Sequence, residues 1–201
     1  MSRTVPLRTV ALVGRDWGLA LLRDGLMNND LIDLVSVFTH GRLPKAEGGG
    51  ARPELPEYES ICAARNITLT VLDGPDAKQL EKILPENLDL LIVLSWRFIL
   101  SPESLRRPKV ASINLHRGAL PEFAGSEPVR RAIEAGATRT AITAHKMVEK
   151  VDMGPEIARV WLDVPPLPPK TSSAAHAEIV KKRLLSLYAP LARLAIKSIA
   201  A

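Results

Sequence analysis

The sequence predicts an α/β fold: a mainly parallel sheet with helices on both faces, an antiparallel strand pair toward the C-terminus and a long C-terminal helix. Three observations carry this. Apolar runs of strand length alternate with segments of helical period, the pattern of βαβ crossovers. The run "LDLLIVLS" at 88–95 is almost entirely aliphatic, as a central strand covered on both faces must be. "TAITAHKMV" and "EIARVWL" are separated only by a short glycine- and proline-containing stretch, which suits an antiparallel pair.

The elements follow in order. Thr9 to Val13 is strand one, and "WGLALLRDGLMNN" then places Leu19, Leu22 and Leu26 on one helical face. "LIDLVSVFT" is strand two. The stretch 41–56, "GRLPKAEGGGARPELP", holds four glycines and three prolines and reads as a mobile loop. A helix over 58–65, strand "ITLTVL" and a helix "DAKQLEKIL" opened by Pro75 and Asp76 precede the central strand. "VASINLH" is the next strand, and "EPVRRAIEAG" is a short helix with Gly136 as its stop. After "VPPLPPKTSS", residues from 173 onward form the long amphipathic helix, with a break expected at Pro190.

At 201 residues, with no internal repeat or composition shift, the whole chain 1–201 reads as one domain. One cysteine, Cys62, allows neither an internal disulfide nor a cysteine-built metal site, which fits a reducing, cytoplasmic setting. No apolar run is long enough to span a membrane, and the N-terminal stretch lacks a leader's cleavage pattern. A net charge of +5 favours an anionic small ligand. With aromatics at 4% and no basic-aromatic alternation, nucleic acid is disfavoured as a partner. The first β–α turn, "GRDWG", has Gly14 and Gly18 but not the dinucleotide-binding glycine spacing, so a nicotinamide cofactor is not expected. Arg15 beside that turn could meet a phosphate. Nothing in the sequence fixes an oligomeric state.

Strand alternation puts Asn114 and His116 on one face at the end of "VASINLH", where open α/β sheets gather ligands. Two polar groups that simply hold the next loop would look the same. Downstream, "MVEKVDMGPEIARV" adds Asp152 in a turn between two strands, and Asn, His and Asp together make a proton-handling set.

At these residues the chain resembles the 10-formyltetrahydrofolate-dependent formyltransferases, the family of glycinamide ribonucleotide transformylase and of the methionyl-tRNA formyltransferase catalytic domain. The resemblance rests on "ILSPESL" at 99–105, "INLHRGALPEFAG" at 113–125, "EPVRRAIEAG" at 127–136 and "VDMGPEI" at 151–157, in that order and spacing. It implies a Rossmann-like, formyltransferase-type fold and 10-formyltetrahydrofolate as co-substrate, without a metal. It further implies that Asn114 and His116 donate to the oxygen that gains charge when an amine attacks the formyl carbon, and that Asp152 supports His116 and takes the amine proton. Arg97, Phe98, Ile99 and Leu100 would line the pterin pocket, with Val148, Glu149, Lys150 and Val151 in the loop that closes it. Arg15, Arg117 and Gly125 would face the acceptor. Phe98 and Leu100 read equally well as core, and His145 reads better as a satisfied core histidine. His40 and His176 carry no comparable context.

Two departures matter. "GRDWG" replaces the serine- and asparagine-rich phosphate loop of the purine enzymes, and "HRGALP" replaces the usual "HPSLLP". "GSEPVRRAI" leans toward the tRNA and sugar-amine branches and "DMGPEI" toward the purine branch. Since the sequence ends at Ala201, after its last helix, a small, anionic amine acceptor (an aminated nucleotide or sugar nucleotide) is expected in preference to methionyl-tRNA. A formyltetrahydrofolate hydrolase and a non-catalytic folate-binding protein are the competing readings. Asparagine is a poor zinc ligand, which weakens any metal-hydrolase reading.

Overall fold

The structure, a computed structural model, describes residues 5–201; the first residues of the N-terminal stretch read above as neither leader nor span lie outside the described residues. Seven strands form one sheet in the order β3-β2-β1-β4-β5-β6-β7. They are β1 (Leu7–Val13), β2 (Ile32–Thr39), β3 (Thr68–Val71), β4 (Leu90–Leu94), β5 (Ala111–His116), β6 (Arg139–Lys146) and β7 (Glu156–Asp163). β1 to β5 pair in parallel, while β5–β6 and β6–β7 are antiparallel. β4 lies at the centre with every side chain buried, as its aliphatic run requires.

The helices are α1 (Arg15–Leu21), α2 (Leu55–Ala64), α3 (Pro102–Arg106), α4 (Pro128–Glu134), α5 (Ser173–Leu184) and α6 (Tyr188–Ala200). The two faces of the sheet are covered unequally. On one, Ala11, Val13, Ile92, Ile113 and Leu115 pack with residues of α1, α5 and α6 in the main core. On the other, Val10, Leu12, Leu91 and Val93 pack under Leu80, Leu84, Leu88 and Leu100, which come from short turns and coil. Asn114 and His116 belong to this thinly covered face, which leaves room for a cleft beyond β4 and β5.

Two expectations change in detail. "DAKQLEKIL" is two 3-10 turns, Pro75–Lys78 and Leu80–Lys82, instead of a helix. Tertiary partners take the backbone groups a helix would use: Leu80 N–H donates to Ser104 Oγ at 2.8 Å, Ala77 O accepts from Trp96 Nε1 at 3.0 Å, and Lys78 O accepts from Ser101 N–H at 2.9 Å. The long C-terminal helical stretch is present, but its break is a 3-10 turn at Leu185–Leu187, ahead of Pro190. Pro190 sits in the first turn of α6, where a missing N–H costs nothing. Among the described residues no helix is long and apolar enough to cross a membrane.

Candidate active site

The register of β5 against β6 sets Asn114 opposite His145 and His116 opposite Thr143. The turn after β6 then doubles back, and Asp152 enters the same spot with a left-handed backbone, φ 57°. Gly154 makes that turn possible: a Cβ there would sit 1.7 Å from Lys146 O. Aspartate tolerates the left-handed region better than most residues, and such conformations persist where the surroundings enforce them.

Four groups converge on the Asp152 carboxylate. Gly125 N–H donates to Oδ2 at 2.8 Å, His116 Nδ1 lies 3.3 Å from Oδ2, and Asn114 Nδ2 and His145 Nε2 each lie 3.4 Å from Oδ1. Asn114 Nδ2 also donates to His145 Nε2 at 3.2 Å, while His145 Nδ1 faces Lys146 O at 3.0 Å. The side chains of His116 and Asp152 are both 8% exposed. Burial pushes the Asp152 carboxyl up, but the His145 contact, the His116 ring and the Gly125 N–H together hold it below its ordinary value. Burial pulls the His116 imidazole below its ordinary value, and the Asp152 charge offsets only part of this.

His116, like His145, meets an oxygen at both ring nitrogens. Its Nε2 is 2.8 Å from Phe123 O and its Nδ1 faces the carboxylate. A neutral imidazole carries one N–H and can satisfy only one of them. The site therefore holds one proton fewer than its oxygens can use.

Beside this cluster opens a cleft of about 410 Å³. Of the residues singled out in the sequence, Asn114, His116, Asp152, Arg97, Phe98, Ile99, Leu100, Val148, Glu149, Val151, Arg117 and Gly125 all line it. Ile99, Val151, Met153 and Val148 leave apolar surface exposed, at 71%, 51%, 49% and 42%. Leu100 does double duty, lining the cleft while packing into the core. Arg97 is anchored: its guanidinium reaches Asp73 Oδ1 at 3.3 Å and Arg42 O at 3.2 Å and lies over the Phe98 ring. Arg117 stacks on Trp17, 4.2 Å from the ring centre.

Two of the residues singled out do not line the cleft. Arg15 turns instead to an ion pair with Glu47, because the 41–56 loop folds over the end of β1. Lys150 stands exposed at the tip of the 147–153 turn, its length carrying the ammonium to solvent. Conversely, His145 is no bystander of the core: it touches both Asn114 and Asp152. Met147 and Trp96, at the edges of the two segments expected around the pterin, also line the cleft. Under Trp96 lies His40, stacked at 4.1 Å between ring centres, with its Nε2 accepting the Arg97 backbone N–H at 3.2 Å. Among the described residues no group of three or more His, Cys, Asp or Glu has the placement of a metal site.

Comparison with known proteins gives a consistent pattern. The family described as formyl transferase matches residues 21–184. A methionyl-tRNA formyltransferase of Thermotoga neapolitana is 33% identical over 126 residues, 62% of this chain and 39% of that protein. The chain spans about half the length of the curated relatives it matches. Among solved structures, glycinamide ribonucleotide transformylase 1 of Symbiobacterium toebii superposes with a TM-score of 0.71 at 21% identity, covering 97% of this chain and 86% of that one. A formyltetrahydrofolate deformylase of Pseudomonas syringae pv. tomato superposes at 0.66 with 18% identity, covering 99% and 62%. At these identities the structural matches speak for the fold.

Proposed function

Because the chain belongs to the formyl transferase family, we propose that it transfers a formyl group from 10-formyltetrahydrofolate to the primary amine of a small, anionic acceptor. The observation that carries this reading is the proton-short pair of His116 and Asp152 at the wall of a cleft of substrate size.

The chain's residues fit the co-substrate. A folate presents a flat, largely apolar ring system with polar edges, and the cleft offers Phe98, Ile99, Leu100, Val148 and Val151 beside Ser95, Trp96 and Arg97. Exposed apolar groups clustered at a cleft mouth are what such a ligand would cover. When bound, the folate supplies the formyl carbon and leaves with a proton on N10.

The rest falls to the protein. Asn114 Nδ2 has two hydrogens, one well placed on His145 and one on the longer contact to Asp152. The second is the one Asn114 gives to the formyl oxygen as charge builds on it. The Phe123 carbonyl fixes the His116 ring by taking its Nε2 proton, so His116 serves that oxygen from Nδ1 only as the imidazolium, whose charge Asp152 balances. Asp152, held ionised, accepts the proton the amine loses and passes it toward N10. His145 orients Asp152 and Asn114 together.

The relatives are named for methionyl-tRNA and glycinamide ribonucleotide, both amines on a phosphate-bearing carrier, and an anionic acceptor is common ground between them. The test is to incubate the protein with 10-formyltetrahydrofolate and a panel of aminated nucleotides, sugar nucleotides, amino acids and methionyl-tRNA, following tetrahydrofolate release and product mass. Transfer to a small anionic amine is expected, and Asp152→Asn should lower its rate by ~10²–10⁴ while folate still binds. Formate release without any acceptor would instead establish a hydrolase, and turnover of methionyl-tRNA alone would overturn the small acceptor.

A further inference from the structure

Arg52 is the least satisfied cation among the described residues. It is 5% exposed, and its Nε and Nη1 are buried without a hydrogen-bond partner. A guanidinium cannot shed its charge at any physiological pH, so burial without partners is an arrangement a fold keeps only for a reason. The charges that act on it are Arg15, Glu54, Glu47 and Arg97.

Its place is well defined. Arg52 N–H donates to Gly41 O at 2.8 Å and Ala51 bridges Arg42, which closes the 41–52 hairpin at the carboxyl end of β2. Arg15 follows the carboxyl end of β1 and Arg97 that of β4. Three arginines from three loops thus lie at the end of the sheet where the strand order reverses, close enough for the Arg15 and Arg97 charges to act on Arg52; Arg97 lines the cleft, and Arg15 and Arg52 stand outside its lining. Arg97 has a fixed partner in Asp73. Arg15 is held by Glu47, on the 3-10 turn Lys45–Glu47. That turn runs into Gly48, Gly49 and Gly50, all at positive φ and with open space around them. The carboxylate is therefore carried on a segment that can swing aside.

We propose that Arg52 and Arg15 recognise a phosphate monoester on the acceptor, and that Glu47 stands in for this phosphate in the free protein and is displaced by it. This rests on the formyl-transfer reading, whose acceptor it specifies. A phosphate monoester brings ~1.5–2 negative charges and three acceptor oxygens, enough for both guanidinium forks. Glu47 brings one charge and leaves Arg52 Nε and Nη1 without a hydrogen-bond partner.

Calorimetric titration of the full chain with inorganic phosphate, at low ionic strength and without folate, tests the site. Glu47→Gln should bind phosphate about tenfold more tightly than wild type and Arg52→Gln about tenfold more weakly, the change expected for one charge-assisted contact. Circular dichroism and folate titration check that each variant is folded; if Arg52→Gln is not, Arg15→Gln should show the same weakening. Equal phosphate affinity in wild type, Glu47→Gln and the arginine variants overturns the proposal. So does formyl transfer with the same kcat/KM for an amine and for its phosphorylated form. Phosphate binding through Arg52 in a protein that transfers no formyl group would uphold the site and sink only the transferase reading.

Discussion

Truncating Asn114 and neutralising Asp152 ask different questions of the same cluster. On the proposed role of Asn114 as a donor to the formyl oxygen, Asn114→Ala should lower kcat by ~10²–10³, or about 2.7–4 kcal/mol, with folate affinity nearly unchanged. It also strips His145 Nε2 of its partner, so the loss should persist in Asn114→Asp, which keeps the shape but cannot donate. Steady-state kinetics on both variants decide it; near wild-type kcat in either would remove Asn114 from the chemistry. That Asn114 and His116 share one face was legible from strand alternation, and Asp152, which sits in a turn, was legible only from the motif around it. His145 was not, since a lone histidine in an apolar strand reads as core, and its contact with Asp152 depends on a β5–β6 register that local sequence does not state. The Arg15 ion pair was hidden for the opposite reason: a turn arginine looks free until a distant loop delivers Glu47.

At the scale of elements, the segment from Met147 to Pro155 decides whether Asp152 reaches the site at all. It leaves β6, presents Val148 and Val151 at the cleft mouth, and returns to β7 through Gly154. Gly154→Ala places a methyl group on the Lys146 carbonyl, a contact only a backbone shift can relieve. The expected outcome is a fall in kcat comparable to losing Asp152, with thermal stability lowered by only a few kcal/mol because the main core is untouched. Val151→Ala should act on binding alone, raising the folate Kd several-fold as roughly 1 kcal/mol of apolar contact disappears. Unchanged kcat in Gly154→Ala would mean that the turn does not position the carboxylate. The strands themselves could be read from their apolar runs, whereas the 75–82 turns could not. Their backbone groups are claimed by Ser104, Ser101 and Trp96, partners at 19 or more positions' distance that periodicity does not see.

For the whole molecule the sharpest consequence concerns acid. His40 is 1% exposed, with its Nδ1 on Leu72 O and its Nε2 accepting the Arg97 N–H, an arrangement only the neutral ring can keep. Burial, aided by the Arg97 and Arg52 charges and opposed by the Leu72 carbonyl and Asp73, lowers its pKa from 6.5 to about 4. Between those values the unfolded chain binds a proton that the folded chain refuses, so stability rises with pH across this window. It is fully present above about pH 6.5, falls as pH drops toward 4, and the loss from His40 amounts to roughly 3 kcal/mol. His116, lowered in the same direction, adds to the loss, and Asp152, held below the usual carboxylate range, extends it to lower pH. Because protonated His40 cannot accept the Arg97 N–H, the 96–98 segment that lines the cleft loosens with it, and folate affinity should weaken over the same window. Denaturant unfolding at pH 7.5, 6 and 5 measures the slope, and His40→Gln separates its source. The variant should be less stable than wild type at pH 7.5 yet lose less on acidification, with His116 accounting for what slope remains. Equal pH slopes in wild type and His40→Gln would assign the acid sensitivity to the active-site cluster alone.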